Sequence, residues 1–230
     1  MSQSVTLFLM PETEAIAVKR LQLLSLLSAS ESLRQHSFLK PERAQQHLAG
    51  RMLLRYALHE QGIRPQRITL EERAAQAPLL LIDGRSAALH FSISHSHDLL
   101  ACAISRDGPV GLDVEVDRER DVEALAAAAF DIEEAKQFKA LAGGSFGSKK
   151  AAFYHLWCAR EARYKWQSAA EDCAARMDMA GLTELHAALH FPRHPEFHIC
   201  VCSGSAADRI EVRDVGSRQL LDGLLPATPS

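Results

Sequence analysis

The sequence has little of what would mark a secreted, membrane-spanning or nucleic-acid-binding protein. Its 5 cysteines include no Cys-x-x-Cys pair, which favours reduced thiols over a disulfide framework. No apolar run approaches the roughly 20 residues needed to span a bilayer. The formal net charge of −3 excludes a basic field over the whole surface. We therefore expect a cytoplasmic protein with no membrane or nucleic-acid partner.

Apolar spacing and turn residues predict an α+β protein. Helical spacing covers residues 14–28, a second helix begins at Pro41 and ends near Gly62, and another covers roughly 150–168. The predicted strands are TLFLM near the start, 67–71, 79–82, 88–94, LLACAIS, PVGLDVEV, 187–191, 197–203 and 209–215, with a turn at Asp83-Gly84.

A repeated sequence pattern suggests a duplicated unit. The tetrapeptide ALHF occurs at 88–91 and at 188–191, each time followed by a cysteine-containing strand and preceded by a helix with Arg-Tyr. We therefore expect an N-terminal half (1–108), a C-terminal half (109–215) and a polar tail (216–230). Two similar halves would form a cleft between them, a common place for ligands.

The first candidate site is the segment GLDVE. On a strand, Asp113 and Glu115 project from the same face. Neighbouring carboxylates repel each other unless a cation lies between them, and Gly111 would let a ligand approach the backbone. The alternative, which this pattern alone favours, is an exposed strand edge with its charges in water.

The second candidate is a helix face. Trp157, Glu161 and Lys165 follow the spacing i, i+4, i+8 and share one side of the predicted helix, with Arg160 and Arg163 nearby. This pattern indicates a face directed at phosphate. The alternative is an ordinary Glu–Lys surface pair, which stabilises a helix only slightly.

The third candidate is Ser94-His95, which ends a predicted strand and opens a turn. A serine hydroxyl and an imidazole can both donate hydrogen bonds to a phosphate. The alternative is a turn without a binding role.

In the order FSISHS, VGLDVE and WCAREARYK, these segments resemble the motifs of the Sfp-type 4′-phosphopantetheinyl transferases. The family motifs read approximately F-N-x-S-H-S, G-x-D-x-E and W-x-x-K-E-A-x-x-K. The resemblance extends to GRMLLRYAL and implies two α+β halves related by a pseudo-twofold axis, with coenzyme A in the cleft between them. It also implies transfer of phosphopantetheine from coenzyme A to a serine of an apo carrier protein, with release of 3′,5′-ADP.

The resemblance assigns the catalytic roles. Asp113, Glu115 and Glu161 match the family's Mg²⁺ carboxylates, and the ion would bridge the diphosphate. Glu161 also matches the residue proposed as general base, and Lys165 matches a lysine that contacts phosphate.

The resemblance also assigns the coenzyme A contacts. Ser94 and His95 match the family's Ser-His pair, with the histidine near the 3′-phosphate. Arg34 falls near a basic position of the family, and Lys165 also faces the phosphates. Arg160 stands where the family has lysine, which keeps the charge but changes the geometry.

Other departures remove positive charge or change a polar side chain. Ala77 and Gln46 stand where the family has a lysine and an arginine, and Ser92 replaces an asparagine. Each missing cation removes a phosphate contact worth about 1.5–3 kcal/mol. The alternatives are therefore a binding module that holds coenzyme A or a carrier without turnover, or another Mg²⁺-dependent phosphoryl-transfer enzyme.

The expected partner is an apo acyl or peptidyl carrier protein with an acidic docking helix. The candidate contacts on this chain are cationic, namely Arg160, Arg163 and the pair Lys149-Lys150. Because one duplicated chain supplies both walls of the cleft, we expect a monomer.

Overall fold

The computed structural model describes residues 4–11, 14–73, 76–171, 188–204 and 209–225. The described helices are α1 (Glu14–Val18), α2 (Arg20–Leu24), α3 (Ala29–His36), α4 (Pro41–Glu60), α5 (Val122–Ala129), α6 (Ile132–Gly143), α7 (Lys149–Glu171) and α8 (Ser217–Leu224). The described strands are β1 (Ser4–Pro11), β2 (Ile68–Arg73), β3 (Gln76–Ile82), β4 (Arg85–Ser86), β5 (His90–Ser96), β6 (Leu99–Ser105), β7 (Gly111–Val116), β8 (Leu189–His190), β9 (Phe197–Cys202) and β10 (Arg209–Asp214). The predicted α+β class is confirmed.

Local sequence signals account for the starts of two helices. Helix α4 has Pro41 in its first turn, as predicted, because a missing N–H costs nothing there. Helix α3 begins with a capping box in which the Ser28 hydroxyl accepts from the Glu31 N–H while Glu31 accepts from the Ser28 N–H. The single helix predicted before α3 is divided into α1 and α2.

The Asp83-Gly84 turn joins β3 to the short strand β4 rather than to the strand that follows. Both residues have positive φ angles, 51° and 72°, as in a tight hairpin. Strands β2, β3 and β4 thus form a separate small sheet.

The predicted duplication is visible in the order of the strands. One sheet contains the order β1-β6-β5 and another the order β7-β9-β8, and all of these neighbours are antiparallel. In both sheets the ALHF segment leads into an outer strand, and the cysteine-containing strand is central. Helix α4 packs on β6 and β5, and helix α7 packs on β7 and β9.

The two halves share an apolar layer. Leu7 and Ala101 of the first sheet lie in one buried cluster with Leu112, Val114 and Val201 of the second. Burial of this layer orients β5 and β7 side by side, which places the three candidate motifs together.

The segment predicted as a tail is structured. Strand β10 pairs in parallel with β1, and α8 packs on α4 with Leu220 and Leu224 buried. The chain therefore returns to the N-terminal half, and the polar-tail prediction is wrong for residues 217–224. An amphipathic helix of 8 residues contains too few apolar positions to stand out in the sequence.

The cysteines of the described residues are free and buried, namely Cys102, Cys158, Cys200 and Cys202, while Cys173 lies outside the described residues. Among the helices described, none combines the length and the apolarity needed to cross a membrane.

Candidate active site

A seam of serine hydroxyls joins the two halves where β5 lies beside β7. Alternate side chains of β5 accept hydrogen bonds from alternate N–H groups of β7. The bonds run from Leu112 to Ser92 (3.0 Å), from Val114 to Ser94 (3.3 Å) and from Val116 to Ser96 (3.0 Å). The seam fixes the register between the motifs FSISHS and GLDVEV.

The same hydroxyls hold the carboxylates of β7. Ser94 donates to Asp113 Oδ1 at 3.1 Å, and Ser96 donates to Glu115 Oε2 at 3.1 Å. Asp113 is only 6% exposed, and Glu115 is half-buried. The alternative of an exposed strand edge is therefore excluded.

Helix α7 supplies the opposite wall. The Lys165 ammonium donates to Asp113 Oδ1 at 2.8 Å, to the Leu112 carbonyl at 2.8 Å and to the Ser94 hydroxyl at 3.2 Å. The lysine thus pairs with a carboxylate of the opposite strand, which excludes a simple surface pair with Glu161.

The close packing of β7 on α7 depends on one glycine. A Cβ at Gly111 would lie 1.8 Å from the Ala162 carbonyl oxygen and 2.6 Å from the Trp166 nitrogen. The prediction that this glycine admits a ligand is therefore wrong, because the helix backbone occupies that space.

The carboxylates interact unfavourably with one another. Burial raises the pKa of Glu115, and the charge of Asp113 raises it further, against hydrogen bonds from Ser96 and Trp157. Burial and then Asp113 also raise the pKa of Glu161, against the opposing charge of Lys165. Arg120 lowers the pKa of Glu115 and Arg160 lowers that of Glu161. These charges do not fully offset burial and Asp113, so a further cation would favour ionisation of both carboxylates.

The donors fit a hard divalent cation. Asp113 Oδ2 is buried and has no hydrogen bond of ordinary geometry from the described residues. Carboxylate oxygens are the donors that Mg²⁺ prefers, although the Cys158 thiol also interacts with the Asp113 carboxylate. Within the described part of the chain, no group of three or more His, Cys, Asp or Glu side chains already stands in a metal-holding arrangement.

A cleft of about 680 Å³ opens beside Lys165. It lies between the halves, since helices α3 and α4 and strands β2, β3 and β5 contribute one wall and α7 contributes the other. Its lining includes four cations and one carboxylate, together with two aromatic rings, namely Arg34, Arg51, Arg73, Lys165, Glu72, Phe91 and Tyr164. The cleft suits an anionic ligand with an apolar portion.

A cation that the sequence did not indicate lies beside His95. Arg43 Nη1 lies 3.2 Å from His95 Nε2 and 3.5 Å from Gln46 Oε1. Burial, followed by the charge of Arg43, lowers the pKa of His95. Arg43 precedes Gln46 by three residues and lies on the same face of α4, and this spacing was the signal that could have identified it.

A second unexpected cation lies beside Ala77. Arg73 Nε and Nη2 donate to the Ala77 carbonyl at 2.9 and 2.7 Å, and both residues line the cleft. The hairpin of β2 and β3 brings them together, so the guanidinium lies next to the position where the family has lysine.

Buried carboxylates anchor the arginines of α4. Arg55 is fully buried and donates to both oxygens of Glu31, at 2.8 and 2.6 Å. Arg51, one turn earlier, pairs with Glu72 of β2 and lines the cleft. Two arginines four residues apart in an apolar helix could have predicted these pairs, because a buried cation requires a carboxylate partner.

Comparison with known proteins identifies the family. Residues 109–215 match the model of the 4′-phosphopantetheinyl transferase superfamily, and residues 14–106 match the model described as 4′-phosphopantetheinyl transferase, N-terminal. The chain belongs to the 4′-phosphopantetheinyl transferase superfamily.

Individual members of this superfamily are moderately similar to the chain. The 4′-phosphopantetheinyl transferase HetI of Nostoc sp. is 30% identical over 141 residues, which are 60% of this chain and 58% of HetI. The 4′-phosphopantetheinyl transferase psf-1 of Bacillus pumilus is 28% identical over 185 residues, 74% of this chain and 76% of psf-1. The match to AcpT of Salmonella typhimurium is 39% identical over 80 residues, 34% of this chain and 40% of AcpT.

The remaining residues of interest lie in different surroundings. Arg34 lines the cleft with its guanidinium 4.9 Å from the Phe38 ring. Arg160 Nη1 donates to the Ala129 carbonyl at 2.6 Å, on the side of α5 rather than in the cleft.

The cations predicted to meet a carrier protein are buried or already paired. Arg163 is 8% exposed and therefore cannot contact a carrier surface in this structure. The other cations considered for docking are paired with surface carboxylates, Lys149 with Glu123 and Lys150 with Asp117 and Glu119.

Proposed function

We propose that this chain transfers 4′-phosphopantetheine from coenzyme A to a serine hydroxyl of an apo carrier protein and releases 3′,5′-ADP. The observation that carries the proposal is the position of Lys165. Its ammonium bonds Asp113 in the carboxylate cluster and also lines the cationic cleft. Lys165 therefore lies between two proposed sites. One is the carboxylate cluster, which would bind a cation and accept a proton, and the other is the cleft, which would bind phosphates.

Coenzyme A fits the cleft by charge. Its diphosphate and 3′-phosphate are anionic, and the cleft presents Arg34, Arg51, Arg73 and Lys165. Charge-assisted hydrogen bonds to phosphate are among the stronger ones in proteins. The apolar pantetheine and adenine portions would contact the aromatic part of the lining.

The family motifs have cations at the positions of Gln46 and Ala77, and in this chain a nearby arginine would replace each of them. Arg43 lies beside Gln46 and His95, and Arg73 lies beside Ala77. We assign Arg43 and His95 to the 3′-phosphate and Arg73 to the diphosphate. Arg43 and Arg73 would then partly offset the cations that the family has at Gln46 and Ala77.

Asp113, Glu115 and Glu161 would hold Mg²⁺, which offsets the charge that develops on the diphosphate when it is bound. The grouping of three carboxylates, in which Asp113 raises the pKa of Glu115 and of Glu161, supports this assignment. The seam serines keep two of these carboxylates oriented before any ligand arrives.

Two side chains of this protein would accept the proton and stabilise the negative charge during the transfer. The serine oxygen forms a bond to the phosphorus that carries pantetheine, and the bond from that phosphorus to 3′,5′-ADP breaks. Glu161 would accept the serine proton, directly or through water, because its carboxylate lies beside the proposed phosphate site. Lys165 would stabilise the charge on the phosphoryl oxygens.

To test the proposal, a panel of apo carrier proteins from fatty-acid, polyketide and peptide synthesis is incubated with the protein, coenzyme A and Mg²⁺. The mass of each intact carrier is then measured by mass spectrometry. We expect at least one carrier to gain the phosphopantetheine mass. No gain on any carrier, with coenzyme A still bound in calorimetry, would contradict the proposal and favour the binding module. No structural observation at present favours that alternative, because the carboxylates and Lys165 are in place.

A further inference from the structure

A pocket of about 320 Å³ lies on the second half, between α7 and β9. It is lined by residues of α7, of the segment that follows β8 and of β9, and it shares no lining residue with the cationic cleft. Its described lining includes no carboxylate and none of the residues assigned to the proposed transfer. The pocket is therefore a separate cavity that the proposed function does not use.

The duplication of the fold relates this cavity to a pocket of about 200 Å³ in the first half. Five lining residues of the first pocket each have a counterpart in the second, always 108 residues later in the chain, as position 155 is after position 47. The first-half residues are Phe38, Arg43, Gln46, His47 and Gly50, and their counterparts are Phe146, Ala151, Tyr154, His155 and Cys158. Strands β5 and β6 complete the first pocket, and the segment after β8 together with β9 completes the second, so equivalent outer and central strands take part.

One ring pair has the same arrangement in both pockets. The ring centroids of Phe38 and His47 are 5.2 Å apart, and the rings are inclined by 46°. The centroids of Phe146 and His155 are 4.7 Å apart, with an inclination of 47°. The two pockets are therefore structural equivalents, and the first of them contains Arg43, which we assign to a phosphate of coenzyme A.

Other side chains of the two pockets differ in chemistry. Ala151 stands where the first pocket has Arg43, and Ala159 stands where α4 has Arg51. Phe191 adds a ring that stacks on His155, with 4.0 Å between centroids and an inclination of 24°. Alanines thus replace the two arginines of the helix while the ring surface is larger, so the second pocket suits a planar apolar ligand rather than a phosphate.

Two polar groups define the rest of the ligand. Tyr154 is fully buried, and its hydroxyl has no hydrogen-bond partner among the described residues. Because buried polar groups are normally hydrogen-bonded, an acceptor on a ligand would complete the bonding of this hydroxyl. Arg193 lines the pocket and is exposed, so its guanidinium can pair with a carboxylate at the rim.

We propose that this pocket binds a small planar aromatic acid. Its rings would lie against Phe146, His155 and Phe191, its acid group would pair with Arg193, and an acceptor on its inner edge would receive the Tyr154 hydroxyl. A cavity of about 150 Å³ accepts benzene, so a cavity of about 320 Å³ has room for two fused rings. Binding would not depend on transfer to a carrier protein.

The probe 6-hydroxy-2-naphthoate tests the proposal, because its acid group and its hydroxyl lie at opposite ends of two fused rings. Its binding to the full chain is measured through its own fluorescence, with and without saturating coenzyme A. Ala151→Trp fills the pocket, and Ala140→Trp places the same side chain on an exposed position of α6 that does not line it. Circular dichroism and calorimetry with coenzyme A check that each variant is folded.

We expect one saturable probe site per chain that coenzyme A does not displace, since the pocket and the cleft share no residue. Ala151→Trp should weaken probe binding about tenfold or more, and Ala140→Trp should bind the probe like the parent chain. Arg193→Gln should weaken it about two- to fivefold and leave the binding of 2-naphthol, which has no acid group, unchanged. Tyr154→Phe should weaken both compounds about two- to tenfold.

A parent chain with no saturable site would overturn the proposal, as would equal probe binding by the two tryptophan variants. Displacement of the probe by coenzyme A would also overturn it, because the probe would then lie in the cationic cleft. An unchanged affinity of Arg193→Gln for the probe would refute the acid group as part of the ligand. If the probe binds as expected but no carrier gains phosphopantetheine, the proposed function fails while this site stands.

Discussion

Replacement of Arg43 by alanine should weaken coenzyme A binding selectively at one phosphate. Arg43 Nη1 lies 3.2 Å from His95 Nε2, in a pocket of about 200 Å³ that also includes Gln46. Loss of a hydrogen bond to a charged group costs about 1.5–3 kcal/mol, which corresponds to a dissociation constant about 10- to 150-fold higher. Calorimetry with coenzyme A measures this change directly.

The ligand 3′-dephospho-coenzyme A provides the matched control. If Arg43 contacts the 3′-phosphate, Arg43→Ala should change the affinity for this analogue by less than about threefold, within the scatter of non-additive effects. Arg73→Ala should weaken both ligands alike, because we assign Arg73 to the diphosphate.

A rescue variant makes the test stricter. Gln46 lies within 3.5 Å of Arg43, so Arg43→Ala combined with Gln46→Arg should restore coenzyme A binding from the position that the family uses. Equal losses for coenzyme A and its dephospho analogue, or no rescue by Gln46→Arg, would refute the assignment of Arg43 to the 3′-phosphate.

Three further outcomes follow from the packing and the charges. Gly111→Ala should lower the free energy of unfolding by more than about 3 kcal/mol or prevent folding, measured by urea denaturation, because the new methyl group would overlap the backbone of α7. Asp113→Ala should abolish transfer in the mass assay and also cost about 1–3 kcal/mol of stability, since its buried donors lose their acceptor. The third concerns Glu72, for which burial opposes ionisation but hydrogen bonds from His47 and Arg51 outweigh it and hold the pKa at about 2. A lowered pKa gives stability above the ordinary value of 4.5 that is lost as pH falls toward 2, so Glu72→Gln should cost about 2–3 kcal/mol at pH 7 and progressively less below pH 4.5.

The carboxylate site could be predicted because its geometry is local. Alternation on a strand places Asp113 beside Glu115, and helical spacing places Glu161 beside Lys165. The repeat of ALHF indicated that two similar halves would bring these elements together. The partner of Lys165 could not be predicted, because Asp113 is 52 residues away in the chain and the pairing depends on how α7 packs on β7.

The cationic wall could not be predicted for a similar reason. Arg73 comes next to Ala77 only through the β2–β3 hairpin, and Arg43 reaches His95 only through the packing of α4 on β5. A comparison of motifs considers each position separately, so Gln46 and Ala77 were interpreted as losses of positive charge. Arg43 and Arg73 nevertheless place cations beside these two positions.

The structured C-terminal segment shows a different limit. Strand β10 follows the C-terminal half in the chain but pairs with β1 at the start of the sequence. The strand itself was predicted, but its partner was not, because the pairing joins positions about 200 residues apart and a mostly exposed edge strand gives no signal of its neighbour. The boundary near residue 108 and the monomeric state stay predictions.

The serine seam explains why the proposed catalytic motif and the junction between the halves are the same segment. Ser94 accepts the Val114 N–H across the junction and donates to Asp113, while Ser96 does the same for Val116 and Glu115. A hydroxyl can perform both tasks because it has one donor and two acceptor positions, whereas a backbone ladder at this junction would leave the carboxylates without their donors. Any movement of one half against the other therefore changes the orientation of both carboxylates, so the distance between the halves and the geometry of the proposed cation site are coupled through Ser94 and Ser96.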